Sequence, residues 1–216
     1  MYGDNLPPGC TLNDIERAAG GDEDEPRGVQ ELMMRHSNVV YVLIRLPTAD
    51  GPSLLLRRHE KWGDWSLVGG HVEEWELNDW GLAAAREATE ELEPLVDGQD
   101  FLVEPIDREP ITWGPAPSRS AKGQRTIYHI QYYALTFLRD PVMLLGKLPA
   151  SEFLLVPERD LGSTRHSFGI PVHRARSYLN GRLEAAPRAW AKELDPWTLP
   201  TSFRPIMQDP GSATMK

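Results

Sequence analysis

Apolar residues in this chain gather into short runs separated by clusters of Gly, Pro, Asp and Ser. The runs Asn38 to Leu46 (NVVYVLIRL) and Ser53 to Arg58 (SLLLRR) read as strands, joined through the turn-forming stretch from Thr48 to Pro52. Trp65 to Val68 reads as a short strand ending at the double glycine Gly69-Gly70. A short helix follows, on which Leu82, Ala85, Ala88 and Leu92 group on one side as a candidate core face. Phe101 to Ile106 and Ile111 to Trp113 read as further strands, and a loop rich in Pro, Ser and Gly runs from Gly114 to Gly123. Thr126 to Leu138 (TIYHIQYYALTFL), rich in β-branched and aromatic residues, is the longest strand expected. Alternation places Tyr128, Tyr132 and Ala134 on one of its faces and His129, Gln131 and Tyr133 on the other. One face is expected to meet the core and the other to line a pocket. Phe153 to Val156 is a last strand, and Pro171 to Asn180 a second helix, closed by Gly181. Strands before and after a central helix, with another helix late, imply an α/β fold with a mixed sheet between helices.

The flanks have a different character. Residues 1–28 are polar, with one turn of helix expected at Leu12 to Ala19, and read as a mobile lead-in. The ordered domain is expected over residues 29–184. Residues 185–216 alternate Pro and Trp without period, as an extension wrapped on the domain or on a partner would. The formal charge of −9 disfavours a duplex nucleic-acid ligand, which calls for a basic face. With Cys10 the only cysteine, no disulfide framework or thiolate zinc site is expected. The chain shows no apolar run of membrane-spanning length and no signal peptide, so a cytoplasmic protein is expected, with a homodimer compatible with the sequence.

The chemistry concentrates between Gly69 and Leu95. At 100° per residue, Glu90 and Glu91 fall within about 60° of Glu87, so three acids form one ridge on the helix. Like charges at this spacing weaken a helix and resist full ionisation. Crowded oxygen donors suit a hard divalent cation, Mg²⁺ or Mn²⁺.

Gly70, Glu76, Arg86-Glu87 and Glu90-Glu91 together resemble the Nudix box, written G-x5-E-x7-R-E-U-x-E-E-x-G-U with U a bulky apolar residue. The match is imperfect. Nine residues separate Glu76 from Arg86 where the pattern has seven, so two extra residues fall between Leu77 and Gly81. Ala88 fills the bulky position, and Glu93 stands for the final glycine. Pro94 follows, so the helix is expected to close at or just before Glu93.

The resemblance implies an α/β/α sandwich and hydrolysis of a phosphoanhydride in a small molecule linked to a nucleoside diphosphate. It also implies Mg²⁺ or Mn²⁺ held by Glu87, Glu90 and Glu91 with the Gly70 carbonyl. Arg86 would then orient a glutamate of the cluster, and Glu76 would support the joint between loop and helix. The general base lies either on the box helix or on a later loop. Outside the box Glu152, just before FLLV, leads Glu158 and Asp160, although a solvated strand-end acid is its equal reading. Arg57, Arg58, His59 and Lys61 suit phosphate contact or a solvated strand end. Trp62, Trp65, Trp75, Trp80 and Trp113 crowd the same loops, and Trp113 is a candidate for stacking on a base. His71 follows the double glycine and fits a structural role better than a phosphate contact. A Nudix-fold sensor that holds a nucleotide without cleaving it is the alternative.

Overall fold

The computed structural model describes residues 34–49, 51–121, 124–161, 167–178, 188–195 and 198–203. The expected lead-in, its turn of helix and the closure at Gly181 lie outside the described residues. Among the described residues, nine strands fall into two sheets. In the first, β5 (Val68–His71), β1 (Arg35–Leu43), β8 (Arg125–Phe137) and β6 (Phe101–Pro105) lie side by side, and β7 (Ile111–Pro117) also pairs with β8. Only β1 and β8 run parallel, with Val39 opposite Ile130, so this sheet is mixed. The second sheet is antiparallel, with β3 (Gly51–Arg58) paired to β2 (Arg45–Thr48), β4 (Trp65–Ser66) and β9 (Phe153–Pro157).

The apolar run at 38–46, expected to be one strand, divides at Ile44. There the chain leaves the first sheet for the second. Residues on both sides of the break are buried, so hydropathy alone reads straight through it. The double glycine also departs from expectation, lying within β5 and pairing with Val40 and Tyr41 instead of ending a strand.

Helices cover both sides of the first sheet. Helix α1 (Trp80–Glu91) buries Ala83, Ala84 and Ala88, with Leu92 just after it, in a core shared with Tyr133, Leu135 and Phe137 of β8. Helix α3 (Ile170–Tyr178) contributes Val172 and Ala175 to a second core with Ile130 and Tyr132. The result is the expected α/β architecture, a mixed sheet between helices. Both faces of β8 therefore meet a core, and the pocket takes only residues near its start, Tyr128 and Ile130.

The two ends of α1 follow from local chemistry. Asp79 caps the start by accepting from the Gly81 N–H at 3.0 Å. At the other end Leu92 is the cap, its N–H donating to the Ala88 carbonyl, with Glu93 and Pro94 outside the helix as expected. The buried face is only half the one the apolar period suggests, since Ala88 and Leu92 are buried as expected but the other two are not. Leu82 is 48% exposed and Ala85 only partly covered, while Glu87 and Glu91 are half-buried on the sheet side. A short helix, α2 (Pro141–Leu145), was not anticipated; its signals are Asp140 as cap, accepting from Val142 N, and Pro141 in the first turn. No helix among the described residues is long and apolar enough to cross a membrane.

The described part of 185–216 lies against the domain. Ala189 N donates to the Arg45 carbonyl at 2.7 Å, and Phe137 N to the Ala189 carbonyl at 2.7 Å. Leu194 N donates to the Pro47 carbonyl at 2.8 Å, while Leu194, Leu199 and Phe203 enter the same core as α1. This segment therefore behaves energetically as domain. Leu199→Ala should cost about 2–5 kcal/mol in urea unfolding, whereas a loosely attached tail would register under about 0.5 kcal/mol.

Candidate functional site

Strand β5 and helix α1 face each other closely because β5 carries no side chain at its middle. Gly69 has φ +138°, and a Cβ there would meet the Val40 carbonyl oxygen at 2.2 Å. Gly70 is needed for a different reason. Its missing Cβ leaves room for the Glu87 carboxylate, whose Oε1 would stand 2.5 Å from it.

The acids are held by two arginines. Arg86 Nε and Nη2 donate to the two oxygens of Glu76 at 2.9 and 3.0 Å. Arg86 Nη1 donates to Glu87 Oε1 at 2.9 Å and to Glu90 Oε2 at 3.5 Å, and Nη2 also reaches the His71 carbonyl at 3.0 Å. Five N–H donors thus meet five acceptors, the full capacity of a guanidinium. Glu76 is completely buried and also accepts from Glu73 N at 2.9 Å, locking the turn that precedes the helix. Glu91 is shared differently, with Oε2 accepting from Gly69 N at 2.9 Å and Oε1 from Arg57 Nη1 at 2.9 Å.

These surroundings move the carboxyl groups in opposite directions. The Arg86 hydrogen bonds hold Glu76 below the ordinary range, against the opposing effect of burial. Burial pushes Glu87 and Glu91 upward, offset in Glu87 by Arg86 and in Glu91 by the Gly69 N–H and Arg57. Charge repulsion, expected from the sequence as the main cause, adds a smaller upward push to each. Glu90 stands apart, with its side chain 60% exposed.

Glu87, Glu90 and Glu91 are hard oxygen donors, the type that Mg²⁺ or Mn²⁺ takes. Among the described residues, no three acidic, His or Cys side chains converge closely enough to hold an ion as they stand. Arg86 Nη1 instead bridges Glu87 and Glu90, and Arg57 Nη1 sits on Glu91. Two guanidinium groups are drawn to these carboxylates, so the set fits a cation in the kind of donor it offers.

A cavity of about 310 Å³ opens beside this cluster, with Gly69, Gly70 and Glu91 on one wall and Arg58, Trp62 and Trp113 on others. Arg57, expected to meet phosphate, turns to acids: besides Glu91 it lies 3.6 Å from Glu152 Oε2 and 3.5 Å from Glu60 Oε1. Glu152 thus stands near the cluster, immediately before β9. Glu158 does not, since Arg45 Nη2 donates to it at 3.2 Å in a largely buried pair. Trp113 stacks on Tyr128, with ring centroids 5.3 Å apart, and the Arg174 guanidinium lies 4.3 Å over its ring. Trp62 packs on His59 at 4.1 Å and under Arg119 at 4.7 Å. Trp65 and Trp80 pack against the cores, and Trp75 is exposed, donating to Glu73. The His71 ring lines the cavity, its pKa lowered by burial and by Arg35. Sequence reading missed Arg119, which pairs with Asp64 at 2.9 Å, and Arg174. One sits in a loop legible only as Pro/Ser-rich and the other on a helix face without periodic signal.

The sequence model of one domain family, described as NUDIX domain, matches residues 34–142, just over half the chain. No curated protein matches. Among solved structures, NrtR from Shewanella oneidensis is 16% identical with a TM-score of 0.46, over 68% of this chain and 64% of that one. The chain therefore spans under two thirds of that relative's length. A mutT/nudix family protein from Listeria innocua is 19% identical with a TM-score of 0.44, over 69% and 98% of the two chains. The Ap4A hydrolase of C. elegans is 18% identical with a TM-score of 0.43, over 69% and 96%. At these values the structural likenesses carry no argument about activity.

Removing the buried partner of Arg86 tests the cluster's architecture. Glu76→Gln should cost about 2 kcal/mol at neutral pH, as charge-assisted hydrogen bonds weaken. Because the folded pKa of Glu76 is lowered, its contribution is present above the unfolded value of about 4.3 and is lost as pH falls through the folded value. Unfolding curves of native protein and variant should accordingly converge on acidification below about pH 4.

Proposed function

The chain belongs to the Nudix domain family, and on that premise we propose that it is a metal-dependent hydrolase. Its substrate would be a small molecule linked to a nucleoside diphosphate, cleaved at a phosphoanhydride bond. One observation carries the reading: Glu91, part of the acidic ridge of α1, faces a cavity large enough for part of a nucleotide, with basic and aromatic side chains on its other walls. In this reading Glu87, Glu90 and Glu91, with the Gly70 carbonyl, hold Mg²⁺ or Mn²⁺. A cation held there would supply positive charge where negative charge builds on the phosphoryl oxygens in the transition state.

The chain's own residues do the rest. Arg86 keeps Glu87 and Glu90 oriented from the helix side. Arg58, exposed at the cavity, offers a guanidinium to a substrate phosphate. Glu152, its side chain 47% exposed and, among the described residues, 3.6 Å from Arg57 with no side-chain hydrogen bond, is available to accept the proton of an attacking water. Trp113 brings an aromatic wall to the group beyond the diphosphate.

The second reading, a nucleotide-binding module without hydrolysis, draws support from the pairing of Glu76, Glu87, Glu90 and Glu91 with arginine. A panel of nucleotide sugars, dinucleotides and nucleoside triphosphates with Mg²⁺ separates the two, reading phosphate and nucleotide products. Turnover on one class supports the hydrolase; binding with no product on any class supports the module. On the best substrate Glu90→Gln should lower turnover by at least about tenfold, ~1.4 kcal/mol of barrier, while the fold persists. Arg58→Ala should raise KM more than it changes kcat, without altering the metal requirement.

A further inference from the structure

Arg57 is an unusual neighbour for a carboxylate assigned to a divalent cation. It projects from the end of β3 and reaches across to α1, so strand and helix meet through the Arg57–Glu91 pair at 2.9 Å. Its other terminal nitrogen, Nη2, lies 3.6 Å from Glu152 Oε2 and 3.5 Å from Glu60 Oε1. Its side chain is 19% exposed, and its Nε is buried without a hydrogen-bond partner among the described residues. A guanidinium only partly open to water, with one N–H unanswered, is placed for the charges around it. Two of those charges are the carboxylates given the roles of cation ligand and proton acceptor above.

The two oxygens of Glu91 have separate partners. Oε2 is fixed by the Gly69 backbone N–H, which cannot leave without breaking β5, while among the described residues Oε1 is held only by Arg57. Glu91 would therefore keep its place without Arg57, and Oε1 is the oxygen for which two positive groups compete. A dication beside Glu91 meets the Arg57 charge within a few ångströms, and like charges at such range repel in a partly buried site.

We infer that Arg57 is the resident counter-ion of this cluster, neutralising Glu91 and Glu152 until a divalent cation displaces its hold on Glu91 Oε1. It acts as a positioning residue that sets cation affinity from outside the ligand set. The inference rests on the cation reading of the preceding section and deepens it. Arg57 thereby offsets the charge of two carboxylates across the gap between α1 and β9, and the same contact weakens cation binding.

The test is Mn²⁺ binding to the full chain, followed by electron paramagnetic resonance of free Mn²⁺, with circular dichroism as the check on folding. Arg57→Gln should bind Mn²⁺ at least about threefold more tightly than the native protein, the scale of removing one partly exposed ion pair. Arg57→Lys, which keeps the charge, should stay near the native affinity. Folded Arg57→Gln with unchanged or weaker affinity would overturn the inference. If Glu90→Gln still weakened Mn²⁺ binding in that case, the cation reading itself would stand. Absence of Mn²⁺ binding to the native chain at millimolar concentration would remove both. Should Arg57→Gln not fold, the native protein decides: Mg²⁺ should shift the Arg57 Nε–Hε resonance in ¹⁵N spectra, identified by its loss in Arg57→Lys. A stationary resonance at saturating Mg²⁺ would overturn the inference.

Discussion

The Arg86 guanidinium is the constraint on which the acidic end of this domain depends. Its five donors meet the Glu76 carboxylate, Glu87, Glu90 and the His71 carbonyl. One planar group thus joins β5, the turn before the helix and the helix itself. A lysine at this place would present three donors from one point and could not span the same partners. The burial of Glu76 makes the link obligatory, because a carboxylate removed from water without its partner is costly. The two extra loop residues are tolerable for the same reason. The chain from Glu76 to the Asp79 cap is pinned at both ends, and a slightly longer loop between fixed ends adds little closure entropy.

Around that anchor the molecule accepts two local costs. Glu87 and Glu91 sit on the sheet-facing side of α1, where burial disfavours their charge. The two glycines of β5 give up conformational restriction, Gly69 for a backbone angle and close approach, Gly70 for the space that Glu87 fills. Neither cost helps the fold. Costs concentrated at one spot, and offset there by Arg86 and Arg57, are the pattern a functional site leaves in a structure.

Much of the fold could be read from the chain because its strands are long in pattern. The runs at 53–58 and 126–138 carry β-branched and aromatic residues between clear turn signals, and Pro94 fixes the end of α1. Ile44 could not be read as a break, since hydropathy reports burial and not which sheet a residue joins. The core face of α1 was only half legible, with Ala88 and Leu92 buried as expected, because an apolar period assumes that charges point outward, whereas Glu87 and Glu91 point toward β5 and β3. Residues 188–195 gave no period, as they join the domain through scattered backbone bonds to β2 and β8 rather than as a regular element. Within the site, the acids and their arginine were legible because they lie on one helix and one preceding turn. The commitment of Arg57 was not, since its partners on α1 and before β9 lie 34 and 95 positions away in sequence and only the fold unites them.

The cavity shows why net charge is a poor guide to a ligand. The chain carries −9 overall, yet Arg57, Arg58, Arg119 and Arg174 all line one recess. Two of these are matched internally, Arg57 by Glu91 and Arg119 by Asp64. Arg58 and Arg174 show no carboxylate partner among the described residues. An anion entering the recess thus meets local positive charge that the whole-molecule count conceals. The aromatic walls are modified in the same way. Trp113 and Trp62 each lie under a guanidinium, at 4.3 and 4.7 Å, so neither indole has both faces bare. Guanidinium planes stack on flat rings as readily as indoles do. A planar ligand can therefore be held against arginine as well as tryptophan, with the charge that attracts its phosphates lying beside the surface that grips its ring.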